Sequence, residues 1–209
     1  MDIEYTPRVE IYLLLATLFR EPPNRALLEW LSDLEVEPTE QTLQQAWLEI
    51  KSAAKSADQQ SCAQEFQELF IGIGRGEVVP FGSWHQTGFL MEKPLANLRQ
   101  DLKSLGFTRQ EQVKEPEDHI AALCEVMSFL VDDQEGLEQV QARLFMEHIA
   151  PWYQSLAEQI QDAPSAKFYQ AVSKLMLAFL SIEQTKLSVH TMDDRYGKRV
   201  AVKNIQQYQ

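Results

Sequence analysis

Glu115-Pro116-Glu117-Asp118-His119-Ile120-Ala121-Ala122-Leu123-Cys124-Glu125-Val126-Met127 lies near the middle of the chain, and its reading decides the class. Pro116 suits the first position of a helix, where a missing N–H costs nothing. Glu117 and Asp118 then put negative charge in the first turn, where unpaired N–H groups and the helix dipole favour it. Ile120, Leu123, Cys124, Met127, Leu130 and Val131 recur at three- and four-residue steps, which is one apolar helix face. The spacing predicts a helix from Pro116 to about Val131, with Asp132-Asp133 at its end. Helix-start chemistry explains Asp118. It does not ask for His119.

Working outward, the same period recurs on both sides. Residues 8–19 form a broad apolar stripe that Pro22-Pro23 ends. Asn24 can cap a second helix carrying Leu27, Leu28 and Leu31, and Thr39 a third carrying Leu43, Ala46, Trp47, Ile50 and Ala54. An interruption is expected at residues 55–61, after which Cys62, Phe66, Leu69 and Phe70 resume the period. Pro94 opens a helix along Leu95, Leu98 and Leu102 that Gly106 stops, and a charged connector over residues 109–114 leads back to Pro116. Residues 137–148 and 152–160 read as two more helices, divided by Pro151. The last strong helix has Ser165 as its cap and runs through Phe168, Tyr169, Val172, Leu175, Met176, Phe179 and Leu180. After Leu187 the period fades, so residues 188–209 are expected to be an extended or mobile tail.

One segment departs from this pattern. Residues 72–88 read Gly-Ile-Gly-Arg-Gly-Glu-Val-Val-Pro-Phe-Gly-Ser-Trp-His-Gln-Thr-Gly and hold five of the eight glycines. That density predicts a long irregular loop, and such loops are usually functional. No period-2 alternation and no repeat occur. The expectation is an all-α single bundle of about eight or nine helices over residues 1–187, with one long Gly-rich loop.

Bulk properties narrow the function. A net charge of −12 and 24% charged residues suit a soluble globular domain and disfavour nucleic acid or an anionic membrane surface as partner. Cys62 and Cys124 both fall on apolar faces, as buried free thiols of a reducing compartment do. Residues 1–6 carry Asp2 and Glu4 rather than a basic leader, and no apolar run approaches the ~20 residues of a membrane span. A cytoplasmic location without stable membrane insertion is expected.

Three kinds of chemistry can be weighed. Gly72-Ile73-Gly74-Arg75-Gly76 lacks the strand, the spacing and the Lys-Ser/Thr of a phosphate loop. Glu115 and His119, four residues apart, would be half a metal site that His85 could complete, which would make the chain a metal-dependent hydrolase. A triad of Ser83, His119 and Asp118 is poorly arranged, because neighbours on a helix diverge by about 100°. The third kind is a peptide groove. Phe81 and Trp84 would supply an apolar wall and the residue 116–119 turn an acidic pole.

These residues resemble a known family. Glu115-Pro116-x-Asp118-His119 opening an apolar helix is similar to the signature of the TorD/DmsD/NarJ redox enzyme maturation chaperones. So are Glu77-Val78-Val79-Pro80-Phe81-Gly82-Ser83-Trp84 with Gly88 and Met91-Glu92-Lys93-Pro94-Leu95. Phe145-Met146-Glu147-His148-Ile149-Ala150-Pro151-Trp152, and Phe168-Tyr169 up to Phe179-Leu180, resemble the family's C-terminal helices. The resemblance spans about residues 5–185. It implies an all-helical cytoplasmic chaperone without catalytic turnover or a cofactor of its own. Such a protein binds the twin-arginine signal peptide and the apo form of a molybdoenzyme, holding it until molybdopterin insertion and export. It implies that Pro116, Asp118 and His119, with Phe81, Ser83 and Trp84, form the signal-peptide and client-binding surface. Asp118 would be the arginine contact, which requires Asp118 and His119 to be exposed. Trp84-His85 departs from the family's usual tyrosine after the serine, and residues 188–209 have no counterpart. A monomer or a domain-exchanged dimer would both fit. An assembly factor that binds folded subunits and no signal peptide is a further alternative.

Overall fold

Helix starts, more than helix interiors, decide how this chain is put together. A computed structural model describes residues 6–72, 76–108, 114–132 and 137–191. Among them are ten α-helices: α1 (Pro7–Arg20), α2 (Arg25–Asp33), α3 (Gln41–Ser56), α4 (Gln59–Phe66), α5 (Gly82–Thr87), α6 (Lys93–Ser104), α7 (Ile120–Asp132), α8 (Glu138–His148), α9 (Tyr153–Asp162) and α10 (Phe168–Thr191). A π turn, Gln67–Ile71, extends α4. No strand occurs among the described residues, so the class is all-α as expected.

The long helix α10 is the axis of the bundle and packs on α1, α3, α8 and α9, while α1 lies along α7. Tyr12 of α1 meets Phe179 of α10 edge-on at 4.8 Å. Phe19, Phe66, Phe70 and Tyr169 form one aromatic cluster where α1, α4, the π turn and α10 converge. Each such ring contributes about 1.5–3 kcal/mol on burial. Within this core the carboxylate of Glu183 accepts from Arg8 Nε (2.8 Å) and Nη2 (2.7 Å) and from Tyr12 Oη (2.9 Å). These bonds give a buried charge the partners it needs and fasten α1 to α10.

Local signals set some starts. Asn24 Oδ1 accepts from Leu27 N at 2.9 Å, as the sequence predicts, and Pro94 sits in the first turn of α6. Others are corrected. Glu40, not Thr39, caps α3, accepting from Leu43 N. Helix α10 begins at Phe168, and Ser165 is not its cap: Ser165 donates its N–H and hydroxyl to Glu77 instead. The cap of α10 comes from α4. The buried Glu65 carboxylate accepts from the backbone N–H of Lys167 (2.7 Å), Phe168 (3.1 Å) and Tyr169 (2.7 Å). It satisfies the orphan donors of a helix end and opposes the helix dipole with a negative charge.

Helix α10 also continues to Thr191, so residues 188–191 are helical rather than part of an extended tail. The expectation for residues 192–209 lies outside the described residues, as do those for residues 109–113 and Asp133. No helix among the described residues is long and apolar enough to cross a membrane.

Glu65→Ala would leave three N–H groups without an acceptor at a buried helix start. It should lower the unfolding free energy by about 2–4 kcal/mol. Urea denaturation would read this as a fall in midpoint at constant slope. An unchanged midpoint would show that the cap contributes nothing.

Candidate functional site

The glycine-rich segment is not a free loop, because its two ends are tied to the bundle by different means. Gly72 N donates back to Gln67 O (2.7 Å), and Val78 N returns to Leu69 O (2.8 Å). Gly76 passes so close that a Cβ there would lie 2.2 Å from the Leu69 carbonyl oxygen, so no side chain fits. Gly76 is therefore a packing residue; Ile73, Gly74 and Arg75 lie outside the described residues. Val78 and Val79 are buried, and Val79 N donates to Gln159 Oε1 at 2.9 Å.

The rest of the segment corrects the expectation of an irregular loop: residues 82–87 form α5. The helix lies on Trp152, itself 1% exposed. A Cβ at Gly82 would approach Trp152 Nε1 to 2.9 Å, and the His85 ring stacks on the indole at 5.3 Å. The indole N–H donates to His148 O (2.6 Å), which fixes the ring. Trp152 is the floor of the site. In the sequence Trp152 marks only the start of a helix after Pro151 and the end of a family-like stretch, because its partner, Gly82, has no side chain to signal the contact.

The start of α5 is made by the central motif. Gly82 N donates to Asp118 O (2.9 Å) and Ser83 N to Asp118 Oδ2 (2.7 Å). Ile120 N donates to Pro80 O (3.0 Å), which completes an isolated antiparallel bridge between Phe81 and His119. The two segments that stand apart from the helical pattern are thus fastened to one another. This pairing also explains why α7 starts at Ile120 and not at Pro116: residues 116–119 form a turn (His119 N to Pro116 O, 3.2 Å) whose backbone serves the neighbouring segment.

The geometry overturns one expectation about the motif. Asp118 is 4% exposed and His119 5%, so neither presents its side chain to solvent. Asp118 Oδ1 is buried without a hydrogen-bond partner. His119 Nδ1 accepts from Ala121 N–H (3.1 Å), so a neutral ring carries its proton on Nε2, and Phe81 packs edge-on against it at 4.9 Å. Ser83 is buried as well, and its Oγ accepts from Met91 N (3.2 Å). Phe81, Trp84 and Pro116 are half-buried and remain partly accessible. Beyond α5 the chain exposes Phe89, Leu90 and Met91 in succession, with Met91 held at φ +62°, an uncommon and strained value for a side chain of its size.

The metal-site alternative is not supported. His85 uses both ring nitrogens, on Val79 O (2.8 Å) and Ser155 Oγ (3.0 Å), and Glu115 lies beside Arg20 at 3.7 Å. The described residues whose ligand atoms do converge are Asp101, Glu147 and His148. There Arg143 already bridges Asp101 (2.7 Å) and Glu147 (3.3 Å), so a cation's charge is supplied by the chain.

Burial, and then the positive charge of Arg20, push the His119 pKa down to about 3. The unfolded chain takes up a proton at His119 as pH falls through about 6.5, whereas the folded chain does not until near 3. Protons therefore favour the unfolded chain across that window. Between pH 7 and pH 5 the wild type should lose about 2 kcal/mol more stability than His119→Gln. Urea denaturation at the two pH values checks this, and parallel losses in the two proteins would show that His119 is not the group responsible.

Comparison with known proteins extends this picture. The sequence pattern of the nitrate reductase delta subunit family matches residues 37–158. A protein of Vibrio cholerae named chaperone protein TorD is 28% identical over 142 residues, covering 63% of this chain and 62% of the relative, so the chain spans less than two thirds of that relative's length. The TorD chaperone of Vibrio atlanticus is 25% identical over 203 residues, covering 87% of this chain and 94% of the relative. A Haemophilus influenzae protein named probable Tat proofreading chaperone DmsD is 25% identical over 184 residues, covering 87% of this chain and 84% of the relative. The crystal structure of a putative redox enzyme maturation protein from Archaeoglobus fulgidus superposes with a TM-score of 0.56 at 16% identity, covering 88% of this chain and 98% of the other. At that identity the likeness shows a shared fold.

Proposed function

Because the chain belongs to the nitrate reductase delta subunit family, the TorD/DmsD/NarJ group of redox enzyme maturation chaperones, we propose that it is a cytoplasmic chaperone. It binds the twin-arginine signal peptide and apo form of a molybdoenzyme and holds them until the molybdopterin cofactor is inserted. It does so by binding, without turnover. The observation that carries this reading is the fastening of α5 to the residue 116–119 turn, since those two segments hold the family-like motifs.

The six candidate residues divide by burial. Phe81, Trp84 and Pro116 are accessible enough to touch an apolar ligand. Ser83, Asp118 and His119 act from beneath: Asp118 starts α5, His119 backs Phe81, and Ser83 anchors the chain at Met91. Asp118 is therefore a positioning residue in this proposal, and an arginine would find its carboxylate elsewhere.

Calorimetric titration with a twin-arginine signal peptide tests the division. Trp84→Ala should weaken binding by about tenfold or more with the melting temperature little changed, as loss of an aromatic contact does. Asp118→Ala should lower stability by about 2 kcal/mol and weaken binding as a consequence. No binding to the wild type would overturn the signal-peptide reading. Full affinity in Trp84→Ala would remove that residue from the contact surface.

A further inference from the structure

A groove of about 1160 Å³ runs along α10 and is lined by α3, α9 and α10. Leu177, Ala178, Ser181 and Ile182 recur along it at three- and four-residue steps, so they share one face of α10, with Ala46 of α3 beside them. Leu177 and Ile182 pack on the core yet are only half-buried, which leaves apolar surface open to the groove. The α10 residues that line it, from Lys174 to Lys186, span about 18 Å of the helix axis.

Carboxylates stand along the apolar strip. Glu49 of α3 holds Lys174 of α10 at 2.7 Å. Glu158 is exposed on α9. Glu40, at the start of α3, is kept below the usual carboxylate range by the Leu43 N–H that it caps, so it is ionised at neutral pH. A ligand that combines basic and apolar side chains would meet both kinds of partner here. The chain itself carries such a segment. Residues 195–209 hold Arg195, Lys198, Arg199 and Lys203 and no acidic residue, on a chain of net charge −12, and set Val200, Val202 and Ile205 among them.

We propose that this groove is a docking site for the chain's own residues 195–209. Their basic side chains meet Glu158 and Glu40, and their apolar ones cover Leu177 and Ile182. Opposite charge selects this segment, and its tether favours it. Thr191, the last residue of α10, lies only about 8 Å along the axis beyond Lys186. The eighteen residues that follow can reach ~60 Å when extended, enough to double back over the whole groove. A segment tethered this closely is present at about millimolar local concentration, so weak contacts suffice to seat it. A separate protein of the same chemistry would have to displace it first. This occupancy is independent of the signal-peptide reading.

The test uses the full chain. A carbodiimide joins an ammonium group to a carboxylate that it touches, with loss of water to the reagent, and mass spectrometry maps the links. Lys198 or Lys203 should couple to Glu158 or Glu40. An equal mixture of isotopically labelled and unlabelled chains identifies the source: links within one isotopic form are expected. Links between the two forms would make the occupant a second copy's segment and overturn the proposal. Limited trypsin digestion gives a second reading, the rate of cleavage after Arg199. Glu158→Gln, a change on the exposed face of α9, should raise that rate about threefold, and Glu158→Gln combined with Ile182→Ser about tenfold. Melting curves check that both variants fold. If neither lysine couples to the groove carboxylates, and Glu158→Gln is cleaved at the wild-type rate, the proposal is overturned.

Discussion

The structure depends on helices being started by carboxylates from distant parts of the chain. An isolated helix end leaves donors unsatisfied, and a short polar residue just ahead of it is the usual remedy. In α10 and α5 the remedy comes from elsewhere. Glu65 reaches across about 100 residues to three N–H groups at the start of α10, and Asp118 reaches back 35 residues to Ser83. Each contact does two things at once. It permits a helix to begin where the local sequence does not call for one, and it fixes that helix relative to the element carrying the acid. For α5, only six residues long and opening on a glycine, this outside cap and the Trp152 floor supply what propensity cannot.

That constraint also separates what was legible in the sequence from what was not. Apolar periodicity is a property of each helix alone, so α1, α2, α6, α8 and α9 could be read from spacing, and the cap at Asn24 and the first-turn proline Pro94 from adjacent residues. Cys62 and Cys124 are buried as their faces predict. The failures fall where the deciding partner is remote. Ser165 looked like a cap because the acid that performs the task is on α4. Residues 82–87 looked irregular because glycine disfavours helix, and the acid offsetting that cost sits in another motif. Pro116 and Glu117 carry every local signal of a helix start, yet the backbone that follows is bridged to residues 80–82, and the helix waits until Ile120.

The candidate site was legible as a list of residues and less so as a set of roles. That the central motif meets the glycine-rich segment follows from both departing from the bundle's pattern, and the Phe81–His119 bridge realises it. Which side chains face outward does not follow, because a short polar residue serves equally well as a ligand contact or as a buried cap. An Asp at a turn is ambiguous between these uses until its neighbours are placed. Asp118 has Ser83 N on one oxygen and protein packed around the other, and that settles its exposure.

Arg20 connects α1 to α7 and to the residue just ahead of the turn. It pairs with Glu125 and lies near Glu115, and, after burial, its charge is the second reason that His119 stays neutral. Both influences act in the same direction, so Phe81 packs against a neutral ring that the fold itself keeps unprotonated.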